Sequence, residues 1–364
     1  MKKSKTIFAC AMLAALASCS NDHVLSQQSP TPSDPDVINI VAASSKPVTR
    51  AAGTADDLQD TQFAENALIN IYLSEHIEGS ERASMTYNDG NAYKYKVTST
   101  PIGSDGTGRK MVLNDSGTDP HFPANGRGVD AYALYPAIDE TGYNINKDVT
   151  KFEVKKNQSS NDDYLKSDLM FGRNGLNSTN GSEISDFKGT TKGNNVELYF
   201  RHQLSKIIVK LSKSSEMADG VLNDATIKLC NVKPKASFAV TKTGLSNLKA
   251  ADTDNDATEI TVGNYNAAGN AAIIVPQDIE VPTGETKTKF IEIKLSDTNG
   301  STVYVYNIAD ADENNSDGKM TFASGKSYTY NITLSAGNIV VVSTKIADWE
   351  DKQIAGDAEL EPAS

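Results

Sequence analysis

Three cysteines, four histidines and two acidic runs are the residues of this chain with chemistry to offer. Cys19 stands out by its setting. Lys2, Lys3 and Lys5 precede a mostly apolar stretch from Ile7 to Ala17, which ends in Leu16-Ala17-Ser18-Cys19. A basic start, an apolar run too short to span a bilayer, and small residues before a cysteine form the pattern of a bacterial lipoprotein leader. In such a leader the thiol is acylated and the residues before it are removed. Acyl chains contribute roughly 0.8 kcal/mol per buried CH₂, so several of them hold a soluble body at a membrane surface. Cys10 departs with the leader and Cys19 takes lipid, leaving Cys230 alone and no intramolecular disulfide in the mature chain.

The other candidates are weaker. His23, His76, His121 and His202 lack the spacing of metal ligands, so no metal and no cofactor is expected. His202 lies near Ser205, but no glycine-framed elbow surrounds that serine, and a histidine entering a strand is read as structural. Asp252-Thr253-Asp254-Asn255-Asp256 starts like a calcium loop, yet position six is Ala257 instead of glycine and position twelve is Gly263 instead of glutamate. Asp310, Asp312 and Asn314 fail in the same way. No nucleophile, acid pair or metal set emerges, so the chain is not expected to be an enzyme. With 35 Lys+Arg against 47 Asp+Glu the net charge is −12, which repels phosphate backbones and excludes nucleic acid as a natural partner.

The elements that would carry these residues are strands. Short runs of β-branched and aromatic residues alternate with Gly, Asn, Asp and Pro clusters, and helical periodicity is scarce. Strands are expected near Val37–Ala43, Leu68–Leu73, Tyr93–Thr98, Val129–Tyr135 and Phe152–Lys155. A second set is expected as two strands within Val196–Lys213 meeting near His202, then Ala225–Val232, Ala271–Val275, Phe290–Leu295, Val303–Ile308, Ser327–Leu334 and Ile339–Ile346. Gly103 to Gly108 reads as a hairpin loop. Length and the Gly- and Asn-rich stretch from Gly175 to Asn195 point to an all-β chain of two tandem β-sandwiches. The expected organisation is a leader over 1–18, a lipidated tether and propeptide over 19–50, sandwiches over 51–190 and 191–350, and an acidic tail over 351–364. Tyr132, Tyr135 and Tyr143 are expected in the core, with a ligand platform as the alternative.

One segment between tether and body has a functional implication. Val37, Ile38, Ile40 and Val41 lie in a strand-like run, and Arg50 follows it, next to Ala51 and other small residues. An exposed Arg before small residues is an accessible site for a trypsin-like protease. Cutting between Arg50 and Ala51 would free the strand before it. The exposed groove could then take an extended segment of another molecule by β-strand addition.

Several phrases resemble the fimbrillin family, the subunits of type V pili of Gram-negative anaerobes. These are the lipobox at Cys19, the strand and cleavable Arg50 about thirty residues on, and Phe200-Arg201-His202-Gln203-Leu204-Ser205-Lys206-Ile207, with His202 at the marker position. Phe322-Ala323-Ser324-Gly325-Lys326-Ser327-Tyr328-Thr329-Tyr330 and the closing Ile346-Ala347-Asp348-Trp349 complete the set. The resemblance implies transthyretin-like sandwiches, an Arg-specific maturation protease, donor-strand exchange with other pilus subunits, and residence on the outer membrane or in a fimbrium. It also implies a ligand on a host or bacterial surface. The tail from Glu350 to Ser364 holds five acids and one lysine, a poor donor strand that would suit a tip subunit, while the apolar run Ile339–Ile346 is either a donor or the last core strand, so stalk, accessory and tip roles all stay open. The alternative is a monomeric surface lipoprotein that binds glycans or proteins.

Overall fold

A computed structural model describes residues 36–43, 63–78, 87–102, 108–114, 116–138, 150–176, 183–241, 244–253, 255–264, 269–297, 300–309 and 318–349. The first half of the chain supplies β1 (Ile40–Ala43), β2 (Leu68–Glu75), β3 (Tyr93–Ile102), β4 (Gly108–Leu113), β5 (Val129–Tyr135), β6 (Thr150–Glu153), β7 (Met170–Arg173) and β8 (Val196–His202). The second half supplies β9 (Ser205–Lys213), β10 (Thr226–Val232), β11 (Lys235–Val240), β12 (Leu245–Ala250), β13 (Thr258–Thr261), β14 (Gly263–Asn264) and β15 (Asn270–Ile274). β16 (Gln277–Glu280), β17 (Lys287–Asp297), β18 (Gly300–Ala309), β19 (Lys319–Phe322), β20 (Lys326–Ser335) and β21 (Asn338–Asp348) complete it. The chain is all-β, as its alternating apolar pattern requires, and among the described residues it has one short α-helix, α1 (Asn161–Lys166). That helix starts where Ser160 Oγ accepts from the Asp163 N–H, a serine N-cap.

Seven strands of the first half close on themselves in the order β1-β4-β3-β2-β5-β7-β8. Period-two alternation builds the wall: Val196, Leu198 and Phe200 of β8 point inward while Glu197 and Arg201 face water. Ile69, Ile71 and Leu73 of β2, Tyr95 and Val97 of β3, and Val129, Ala131 and Ala133 of β5 fill the interior with them. β2 and β5 are buried on both faces. Their opposite sides present Tyr72, Tyr132 and Leu134, which join a second apolar cluster centred on the later strands.

That second cluster lies among three sheets, ordered β13-β10-β17-β18, β14-β15-β9-β20-β21 and β12-β11-β6, with β16 and β19 paired separately. β9 and β20 run parallel over nine register pairs from Lys326↔Ser205 to Leu334↔Lys213. β6 crosses over. It pairs with β11 through Phe152↔Ala236, and Phe152, Val154 and Tyr164 pack into the second cluster, whereas β8 closes the first barrel. The residues on either side of position 190 thus interleave: 150–169 serve the later sheets and 196–202 the earlier barrel.

Every expected strand is present within a few residues. Beyond them the structure adds β4, β7, β11 to β14, β16 and β19. β4 carries Arg109 and Lys110 at its start, where it follows the glycine-rich segment read as a loop. In β7, Gly172 lies under Phe200, and a Cβ there would stand 2.7 Å from that ring.

Candidate functional site: the slot filled by the first strand

Of the sequence-predicted site residues, Val37, Ile38, Ile40 and Val41 are described. Cys19, Arg50, Ala51 and His23 lie outside the described residues, as do Tyr143, Asp254, Asp310, Asp312 and Asn314. The segment 36–43 is held on both flanks. On one side Ile38 N–H donates to Pro120 O at 2.8 Å, Phe122 N–H donates to Asp36 O at 2.7 Å, and Val41 and Ala42 pair with Lys110 and Arg109 of β4. On the other side Val196 N–H donates to Asn39 O at 2.8 Å, and Ile40 to Ala43 run parallel to Val196 to Tyr199 of β8. β1 is therefore the strand that closes the barrel.

Its side chains follow the same logic. Ile38, Ile40 and Ala42 enter the barrel core and Val41 is buried as well, all at 2–4% exposure, while Asn39 between them is half-buried. Val41 Cγ1 lies against Gly108, where an added Cβ would stand 3.4 Å away. An ion pair between Asp36 and Lys192 ties the start of the segment to the approach to β8. Phe63 is the first described residue after the predicted cleavage point. Its ring packs edge-on against Tyr135 at 4.9 Å and Phe200 at 4.7 Å, so the chain beyond Arg50 has its own anchor. Sequence reasoning missed β4 and Phe63. Only the apolar pair Met111 and Val112 hinted at the first, and nothing local distinguished the second.

The remaining candidates are accounted for by structure. His202 Nδ1 lies 2.9 Å from Asp168 Oδ1, and its ring stacks on Trp349 at 4.3 Å and 3°. Ser205 Oγ donates to Ala323 O at 2.8 Å. His121 bridges to Val37 through the backbone, and His76 pairs with Asp130. Asp252 accepts from Lys249, and the Asn255 side chain bonds the backbone of Lys235 and Ala251. Tyr132 is buried in the second apolar cluster, and Tyr135 is partly buried against the barrel core. Among the described residues one mixed cluster could approach metal-site geometry: Cys230, Glu259 and Glu292. Lys289 already lies 2.9 Å from Glu292 and 3.6 Å from Glu259, and Lys228 lies 2.7 Å from Glu259. Two ammonium groups thus stand where a cation would. Burial pushes the Cys230 thiol up from its ordinary value, opposite to what a ligating or reactive thiolate needs.

No curated protein sequence matches the chain. Its fold is similar to that of a candidate cell adhesion protein of Bacteroides uniformis, at a TM-score of 0.57 and 18% identity over 87% of this chain and 99% of that one. A second such protein, from Bacteroides ovatus, aligns at 0.55 and 18% over 87% and 98%. The tip fimbrial protein Mfa3 of Porphyromonas gingivalis, with a C-terminal truncation, aligns at 0.42 and 13% over 86% and 99%. A family model described as fimbrillin-like matches residues 49–349, which span the barrel from β2 onward and the later sheets to Trp349, and the chain belongs to that fimbrillin-like family.

Proposed function

We propose that this chain is a structural or adhesive subunit of a type V pilus that acts by assembly and not by catalysis. In this reading it is exported as an outer-membrane lipoprotein through Cys19 and cut between Arg50 and Ala51 by an Arg-specific protease. It then joins neighbouring subunits by exchanging β1 for one of their strands. Membership of the fimbrillin-like family supports the pilus role. The observation that carries strand exchange is the double pairing of β1. Because β1 bonds both β4 and β8, its departure would leave two facing rows of unpaired backbone groups and an apolar slot lined by the barrel core. A strand supplied by a neighbour would satisfy both rows at once. The acidic segment from Glu350 to Ser364 is poorly suited to be such a donor, a composition that suits an accessory or tip component accepting a strand.

The test is to treat the chain from Ser20 onward with an Arg-specific protease, sequence the new N-terminus, and add partner subunits from the same cell. A single cut before Ala51 followed by stable hetero-oligomers supports the reading. A chain that is cut there and takes up no strand from any partner refutes it.

A further inference from the structure

A second concave site lies at the end of the barrel where β2 ends, β5 begins and β7 ends. Residues 183–190 form a strap over it. The strap is fixed: Ile184 N–H donates to Gly175 O at 2.9 Å, and Thr190 and Val129 exchange backbone hydrogen bonds of 2.8 and 2.9 Å. Asn174, itself buried, donates from its side chain to Val129 O and accepts from the Ala131 N–H. The strap crosses the β5 entry so closely that a Cβ at Gly128 would stand 2.3 Å from Lys188 O. Beneath it is a cavity of about 290 Å³, at the small end of the range for ligand pockets.

The lining is polar: Asp130 and Arg173 are buried, His76 and Phe187 half-buried, and Glu78 and residues 183–186 and 188 form an exposed rim. His76 Nδ1 lies 3.0 and 3.1 Å from the two oxygens of Asp130, with side chains only 10% and 13% exposed. Arg173, 6% exposed at its side chain, donates to Glu183 Oε1 at 2.8 Å, and Lys188 donates to Glu78 at the rim. Phe187 sets its ring edge-to-face with His76 at 6.3 Å and also lines the cavity. The buried Asp130 and Arg173 each already face a partner, so an ionic ligand drawn to either would have to compete with a contact already made. The further acid Asp186 weights the lining toward negative charge and disfavours anions. A neutral ligand rich in hydroxyls loses nothing by these pairings. The carboxylates keep lone pairs to accept O–H groups, the Lys188 ammonium at the rim can donate, and Phe187 offers an apolar surface to C–H groups. We propose that this cavity binds a neutral sugar unit, independently of whether β1 is exchanged.

Ligand-observed saturation-transfer NMR on the chain from Ser20 onward would test this. The probes are free glucose, galactose, mannose, N-acetylglucosamine and N-acetylgalactosamine, with glucuronate and N-acetylneuraminate as anionic counterparts. At least one neutral sugar should receive saturation and the anionic sugars none. Lys188→Ala at the rim and Phe187→Ala should each weaken binding on the order of tenfold, the loss of one charge-assisted hydrogen bond or of the apolar platform. Lys188→Ala should leave the thermal midpoint unchanged, which separates lost binding from lost folding. Absence of transfer to every neutral sugar, transfer that survives both substitutions, or preferential binding of the anionic sugars would overturn the assignment.

Discussion

If β1 is a piece of the barrel core that happens to be removable, then cutting the chain should not by itself release it. Ile38, Ile40 and Val41 are buried to 2–3% exposure, and each such side chain contributes about 1.5–3 kcal/mol on burial. Together they contribute about 5–9 kcal/mol, aided by the bonds to β4 and β8 and opposed by the cost of ordering the backbone. The nicked fragment is expected to stay in its slot until a better-fitting strand displaces it. Ile40→Ala should remove about 2–5 kcal/mol of that hold, a loss of retention of at least about thirtyfold. Asn39→Ser, at the intervening half-buried position, should change it by no more than about 0.5 kcal/mol. The assay is size-exclusion chromatography of the chain nicked after Arg50, or at a protease site inserted there, across a urea series, following the N-terminal fragment. The fragment should co-elute in buffer and dissociate at lower urea in Ile40→Ala. Immediate release from an intact body, or equal sensitivity to the Asn39 and Ile40 substitutions, would refute the reasoning.

Three other outcomes follow from features elsewhere in the fold. His202→Ala removes both the stack on Trp349 and the imidazole beside the buried Asp168, so it should cost about 3–5 kcal/mol and shift the emission of the only tryptophan, read by fluorescence-monitored unfolding. Tyr95 buries a hydroxyl without a hydrogen-bond partner, so Tyr95→Phe should raise stability by about 1 kcal/mol in denaturant titration; a destabilised variant would contradict this. Burial pushes the phenol of Tyr87 up to about 12 and those of Tyr95, Tyr132 and Tyr135 further up, so their contribution is complete below the unfolded value of 10.0 and is lost as pH rises through the folded values. The thermal midpoint should thus begin to fall above pH 10, with the phenolate absorbance of these four tyrosines appearing only as the chain unfolds.

Much of this fold was legible because its strands bury one face. Tyr95 and Val97 alternate with Lys94 and Lys96, and Val196, Leu198 and Phe200 alternate with Glu197 and Arg201, so the period of two stands in the letters. The strands that escaped notice lack that contrast. β11 and β12 are built from Ala, Ser and Lys as much as from large apolar residues, and β7 contains a glycine because the Phe200 ring needs its space. The partnership of β1 with β4 and β8 was beyond local reading, since it joins residues about 70 and 155 positions apart and depends on how the barrel closes. The polar cavity escaped for the same reason: His76, Asp130 and Arg173 have no spacing in common and meet only where three strands end.

The stack of His202 on Trp349 has a mechanical side. Trp349 N–H donates to Gly325 O, and Gly325 N–H donates to Leu204 O, so the end of β21 is pinned to the short link between β8 and β9. The last residue of β1 lies opposite Tyr199, three positions before His202 on β8, or about 10 Å along the strand. A pull applied between the slot and the chain leaving Trp349 would therefore run through this junction. The tension would be shared between the imidazole–indole stack and the ladders that tie β21 to β20 and β20 to β9.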